Sequence, residues 1–253
     1  MPCVLVIGAT GDVGQGVVAA LLQSGQSVLA VARQAPRLQA LALALGSPPA
    51  LRTLTGSVAS DAQAAALKAR VQALCPALSG VVVSVNAPRE LAELLAQSTA
   101  QFTARVGADL ATHFTAARTF LPLLAPGSTY LGIGGGSADF VLEGAVHLSV
   151  AQAGLRMLYR GLAHEAAMLP TQPHVRELVI ASVVNGASNR AQAHPAWVTA
   201  EEVGALATRL ITHPSHYPHP IWRIARRDVS GEPVISPEGP TRIQGLHQPL
   251  EPH

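Results

Sequence analysis

Val4-Leu5-Val6-Ile7-Gly8-Ala9-Thr10-Gly11-Asp12-Val13-Gly14-Gln15-Gly16-Val17-Val18 decides how the rest of the chain is read. Four apolar residues in a row, rich in β-branched types, describe a buried strand. Three glycines follow at G-x-x-G-x-x-G spacing, and apolar residues then recur at Val13, Val17, Val18, Leu21 and Leu22. The pattern predicts strand, tight glycine turn, helix. Such a unit points the N–H groups of a helix N-terminus at a backbone with no side chain in the way. The helix dipole favours an anion there, and a pyrophosphate fits the description. Gly8 serves the sharp turn, Gly11 the close approach and Gly14 the packing of helix on strand. The alternative is an ordinary strand–helix turn whose glycines serve the chain alone.

With 253 residues, 49% of them hydrophobic and 13% charged, the chain has ample material for one core and no disordered signature. A net charge of +2 is too small to argue for nucleic acid or an anionic membrane as partner. No apolar run reaches the ~18 residues that a membrane span needs. Cys3 and Cys75 stand far apart with no framework spacing, so the expectation is two reduced thiols in a cytoplasmic protein. Of the 17 basic residues, Lys68 alone is a lysine.

Working outward from the glycine turn, residues 27–32 read as a second strand, with Arg33 at its carboxyl end and Arg37 close behind. In a dinucleotide fold that strand end faces the adenosine ribose. An acidic residue there grasps a 2′-hydroxyl, whereas an arginine accommodates a 2′-phosphate. No Asp or Glu occurs between Asp12 and Asp61, so NADP is favoured over NAD. Strands are expected at 51–55, 80–85, 130–133, 175–184 and 221–224. Helices are expected at 38–45, 61–74, 102–121 and 148–168, with a last one opening at Thr199. This alternation predicts a single α/β domain over residues 1–229, a Rossmann-type doubly wound parallel sheet with helices on both faces. Ligand then binds at the carboxyl ends of the strands. From 230 to 253 the chain is rich in Pro and Gly without periodicity and reads as a tail. His213, His216 and His219 are spaced by three, but Pro214, Pro218 and Pro220 forbid a regular helix. A surface loop is expected there rather than a metal centre.

Over residues 4 to 227 the chain resembles a short-chain dehydrogenase/reductase. Val6 to Gly14 is similar to the glycine motif of that superfamily, with a spacing nearer its extended and atypical members, NmrA-like proteins among them. Asn86-Ala87-Pro88 falls where the family carries Asn-Asn-Ala-Gly, and Ser57-Val58 falls where an Asp-Val pair meets the adenine. The resemblance implies a cofactor set of Gly8, Thr10, Gly11, Asp12, Val13, Gly14, Arg33, Ser57, Val58, Asn86, Ala87 and Pro88. Counting back from Leu121-Pro122 puts Asp109 at the family's catalytic asparagine. Ser137, the only hydroxyl of Gly134-Gly135-Gly136-Ser137, falls at its catalytic serine.

The Tyr-x-x-x-Lys motif is where the chain departs from the family: Leu148 stands at the tyrosine and Gln152 at the lysine. No other register restores it. Four residues after Tyr130, Tyr159 and Tyr217 stand Gly134, Ala163 and Ile221, and Lys68 lies upstream of all three. Reducing a carbonyl by hydride requires a proton for the developing alkoxide. The family's phenol supplies it; leucine cannot, and losing a general acid costs ~10²–10⁴ in rate. His147, beside the lost tyrosine, is the substitute donor to consider with Ser137 and Asp109; the alternative is an exposed loop histidine.

Three functions follow. The first is an NADP-dependent oxidoreductase with a divergent proton donor, suited to a polarised C=C or a flavin. The second is a non-catalytic dinucleotide-binding redox sensor or regulatory protein of the NmrA-like kind. The third is an oligomerisation module that binds no nucleotide. The resemblance also implies a homodimer or homotetramer through helices 102–121 and 148–168. Residues 185–198 are expected to form the substrate loop.

Overall fold

Parallel pairing of strands joined by helices accounts for the order in which the chain runs. In the computed structural model, residues 2–87, 90–228 and 231–238 are described. Among them the elements are β1 (Cys3–Ile7), α1 (Asp12–Gln23), β2 (Val28–Ala32), α2 (Ala35–Ala44), β3 (Leu51–Thr55), α3 (Asp61–Leu74), β4 (Leu78–Val83) and α4 (Thr99–Phe120). There follow β5 (Leu124–Gly135), α5 (Val146–Ala166), β6 (His174–Ala181), β7 (Val184–Asn185), β8 (Val198–Thr199), α6 (Ala200–Thr212), β9 (Ile221–Arg227) and β10 (Pro233–Glu238). The main sheet has the order β10-β9-β6-β5-β4-β1-β2-β3, and β7 pairs with β8 apart from it. Every pairing in the main sheet is parallel except β10 with β9. The order reverses between β1 and β4, which opens a crevice at their carboxyl ends.

Two apolar layers cover the sheet. On one face Leu67 and Val71 of α3, Phe120 of α4 and Leu155 of α5 pack together. On the other face Val17 and Leu21 of α1, Leu38 of α2 and Leu206 and Leu210 of α6 do the same. The sequence-based expectation of a doubly wound α/β domain is borne out. Helices α1 and α6 touch backbone to backbone. A Cβ on Gly16 would lie 2.1 Å from the Ala200 carbonyl oxygen, and one on Gly204 2.2 Å from that of Gly16. Helix α6 opens on a reciprocal cap: Thr199 N–H donates to Glu202 Oε2 (2.8 Å), and Glu202 N–H donates to Thr199 Oγ1 (3.2 Å).

Two readings of the sequence need correction. Residues from 230 onward read as a tail, yet Pro233–Glu238 forms β10, antiparallel to β9 at the sheet edge. An edge strand tolerates Pro233 and Pro237, which lack the N–H an inner strand must give, and this hides it from a pattern search. Arg156, Arg160 and Arg223 all pair with Glu238. Residues 239–253 lie outside the described residues. Cys3 and Cys75, expected as reduced thiols, are joined in a disulfide with Cα atoms 6.3 Å apart. The start of β1 and the end of α3 converge because β1 and β4 are neighbours. Sequence spacing alone does not reveal that.

Strand β6 carries adjacent buried charges that face opposite layers. Arg176 Nε donates to the Tyr217 carbonyl oxygen (2.8 Å) and Nη2 to that of Pro214 (2.7 Å), which fixes the His213–His219 loop. Glu177, 1% exposed, stands against β5, where a Cβ on Gly134 would lie 2.0 Å from its Oε1. Its Oε2 takes no hydrogen bond among the described residues. Burial pushes the Glu177 carboxyl up from 4.5 to about 8; Arg156 and Arg160 pull it down, while Glu238 and Asp139 push it up. The folded protein thus holds this proton more tightly than the unfolded chain. The stabilisation is present in full below 4.5 and is lost as pH rises through about 8.

Two outcomes are expected in thermal melts. Gly204→Ala forces α1 and α6 apart and should cost about 1–3 kcal/mol, the usual penalty of overpacking. Glu177→Gln removes the titrating group, so its melting temperature should fall less than that of the wild type between pH 5 and pH 8.5, and should be the higher of the two at pH 8.5.

Candidate functional site

The crevice at the carboxyl ends of β1, β2 and β4 is a cleft of about 430 Å³. Its inner wall is the glycine turn. Gly8 adopts φ +87°, and a Cβ there would lie 2.0 Å from the Ser84 carbonyl oxygen, so no other residue fits without moving β4. Gly14 backs onto the same turn, with its absent Cβ 2.2 Å from the Gly8 carbonyl oxygen. Gly11 differs. The nearest atom to a Cβ there is the Gly8 oxygen at 3.7 Å, and the residue lines the open cleft. It is also the N-cap of α1, and no side chain caps that helix. The first N–H groups of α1 have no intrahelical acceptor and can meet an anion.

Of the expected cofactor set, Gly8, Thr10, Gly11, Arg33, Ser57, Val58, Asn86 and Ala87 all line this cleft. Val13 packs against the apolar layer below, and Gly14 lies behind the turn. Asp12 turns aside to accept hydrogen bonds from Ser188. Pro88 lies outside the described residues. At the outer end Arg33 is exposed and makes no hydrogen bond or ion pair among the described residues. Arg37, which also lines the cleft, donates from Nη2 to the Thr10 carbonyl oxygen (3.0 Å) and so braces the turn. The motif reading missed Gln34, Ala59, Ala108 and Thr112, which the fold places on the walls. Only the last two carry a signal, as small residues one helical turn apart on α4.

Beyond Ala87 a chain of hydrogen bonds crosses the ends of the central strands. Ala87 N–H donates to Asp109 Oδ1, and Gln152 Nε2 lies 3.5 Å from Asp109 Oδ2. Gln152 Oε1 accepts from Gly135 N–H at 2.5 Å. Asp109 and Gln152 are thus brought together, 3% and 7% exposed, with their polar atoms committed to one another and to backbone. Leu148, also buried, lies one helical turn before Gln152. Ser137 sits half-buried on the turn after β5 and makes no hydrogen bond among the described residues.

His147 is a buried residue, not an exposed loop histidine: it is 1% exposed in the first turn of α5. Its Nδ1 lies 3.5 Å from Gln97 Nε2, and Gln97 Oε1 accepts from Arg105 Nη1 (2.9 Å). No hydrogen bond joins Asp109, Ser137 and His147 to one another among the described residues. A third buried group escaped the sequence reading. His113 of α4 bonds the Tyr159 hydroxyl (2.8 Å) and the Val85 carbonyl oxygen (3.0 Å), and burial lowers its pKa. Tyr159 is fully buried, and burial holds its hydroxyl well above the ordinary pKa of a phenol, so it offers no proton to the cleft.

Comparison with known proteins gives the chain its relatives. The family model described as Enoyl-(Acyl carrier protein) reductase matches residues 8–172. No curated protein matches by sequence. Among solved structures, the Pseudomonas aeruginosa RhlG/NADP active-site complex superposes with a TM-score of 0.76 at 22% identity, over 87% of this chain and 93% of that one. A short chain oxidoreductase from Pseudomonas aeruginosa PAO1, described as containing an atypical catalytic center, gives 0.77 at 20% identity in its apo form, over 87% and 94%. Its NADPH-bound form gives 0.75, over 87% and 93%. At these identities the structures speak for the fold, while the family model covers well over half the chain. Strand order, glycine turn and sequence match together make this chain a member of the short-chain dehydrogenase/reductase family.

Proposed function

We propose that the chain binds NADP(H) in the glycine-turn cleft and acts as an oxidoreductase with a non-standard proton supply. One observation carries the cofactor reading: among the described residues, Arg33 is unpaired at the outer end of a cleft whose walls hold no carboxylate and which leads inward to the helix N-terminus at Gly11. A 2′-phosphate beside Arg33 gains a charge-assisted contact, and NAD has nothing to offer there. Solved relatives described as complexes with NADP or NADPH support the same choice.

The cofactor, when bound, supplies or accepts hydride. The chain's own part is to seat the pyrophosphate at Gly11, to receive the adenine between Ser57 and Val58, and to hold the inner end against Asn86 and Ala87. In this reading Ser137, which makes no hydrogen bond among the described residues, polarises a substrate oxygen, Asp109 fixes the loop after β4 through Ala87, and His147 is the reserve proton donor. With Leu148 and Gln152 in place of phenol and ammonium, substrates that need little acid assistance, such as a polarised C=C or a flavin, suit it best. A second reading, a non-catalytic nucleotide sensor, draws on the same feature: Gln152 and Asp109 satisfy each other and leave no proton to give. The cytoplasmic placement belongs to this proposal too, although the Cys3–Cys75 bond weighs against a reducing compartment.

The proposed assembly is a homodimer or homotetramer formed through α4 and α5. Leu110, Phe114, Met157 and Leu158 line an apolar groove between those helices, with Phe114 47% and Met157 63% exposed.

Calorimetric titration tests the cofactor. NADPH should bind more tightly than NADH, and Arg33→Ala should weaken NADPH about tenfold while leaving NADH unchanged. Failure of both nucleotides to bind overturns the enzyme and sensor readings alike. Hydride transfer from bound NADPH to an alkene or flavin acceptor, reduced in His147→Ala, separates enzyme from sensor. Sedimentation tests the assembly: Met157→Arg should turn an oligomer into a monomer.

A further inference from the structure

Arg33, Gln34, Arg37 and Ser57 are the polar side chains that the segments after β2 and β3 bring to the walls of the cleft, and none of them is a carboxylate. Arg37 is spent on the Thr10 carbonyl oxygen, and in the reading above Arg33 answers the 2′-phosphate. Ser57 remains, half-buried on the turn after β3. Its Oγ accepts from the Ala59 N–H (3.2 Å), a local turn that holds the hydroxyl oxygen in place. A hydroxyl has two lone pairs and one proton. One lone pair goes to Ala59, and the Ser57 side chain makes no other hydrogen bond among the described residues. A proton and a lone pair are left for a ligand.

We propose that Ser57 leaves the base of the dinucleotide unselected at its 6-position, so that the cleft takes a 6-oxopurine (hypoxanthine) as readily as the 6-aminopurine adenine. The inference rests on the NADP(H) reading above, which seats the base between Ser57 and Val58. The 6-amino group of adenine donates a hydrogen bond, and the 6-oxo group of hypoxanthine accepts one. A wall tells them apart when it carries a group that can only give or only take, because the wrong base then leaves that group unpaired. A carboxylate is such a group: it accepts from the amine and repels a carbonyl oxygen. The Ser57 hydroxyl is not. Rotation about its C–O bond turns a lone pair towards an amine or the proton towards a carbonyl, while the oxygen stays where Ala59 holds it. The Gln34 amide offers the same choice by a flip of its plane. Selection at the outer end of the cleft then falls on the 2′-phosphate, through Arg33, and not on the base.

The test titrates the wild type and Ser57→Asp calorimetrically with NADPH and with its 6-oxo analogue, in which hypoxanthine replaces adenine. The wild type should bind the two with affinities within about threefold of each other. A wider gap in favour of NADPH overturns the proposal and leaves the NADP(H) reading standing, with base selection then made by the backbone of residues 56–59. Ser57→Asp should open the gap to about tenfold or more in favour of NADPH. Both ligands carry the 2′-phosphate, so the ratio within one protein cancels whatever the new carboxylate costs through Arg33. An unchanged ratio in Ser57→Asp removes Ser57 from the choice of base and overturns the proposal. Failure of the wild type to bind either dinucleotide overturns the NADP(H) reading and this inference with it.

Discussion

The structure depends on a three-layer backbone contact at the glycine turn. The Ser84 carbonyl of the β4 end presses on Gly8, and the Gly8 carbonyl in turn presses on Gly14 of α1. Side chains are absent from both interfaces because the gap between backbones is narrower than a methyl group. That closeness fixes where β1, β4 and α1 meet, and the cleft is the space left in front of them. Gly16 and Gly204 repeat the device one layer out, so that α6 lies on α1 with no spacer. The position of the cleft and of the helix N-terminus beside it thus follows from main-chain packing rather than from any polar side chain.

The two ends of the crevice are built on opposite principles. The outer end keeps its cation free, with Arg33 unpaired among the described residues. The inner end spends its polar groups internally: Asp109 on Ala87 and Gln152, and Gln152 on Gly135. Buried polar groups must find partners, and the amide of Gln152 finds them in Asp109 and the Gly135 N–H. The amide has both a donor and an acceptor, which lets it close the chain in a way lysine cannot.

Sequence pattern carried the sheet, the helices and the glycine-turn wall of the cleft, because strand burial and glycine spacing are local signals. Val4 to Gly14 announces itself without its partners. What stayed hidden was non-local. β10 reads as tail because edge strands need no alternation. The Cys3–Cys75 bond needs the adjacency of β1 and β4, and the partner of Asp12 comes from a loop 176 residues away. His113 and Glu177 escaped notice for a related reason: a single polar residue in an apolar stretch gains meaning only from what faces it. Asp109 and Gln152 were legible as positions by resemblance, but not their contact.

The Asp109–Gln152–Gly135 chain also bears on reversibility. Installing the family motif by Leu148→Tyr and Gln152→Lys would put an ammonium near Asp109, but it would also strip Gly135 N–H of its acceptor. A buried donor left unmatched costs about 1–3 kcal/mol. The double substitution therefore enters at a loss in stability before any gain in chemistry. The amide of Gln152 joins α4, α5 and β5 through Asp109 and Gly135, so the fold's stability is tied to this residue whatever the cleft does.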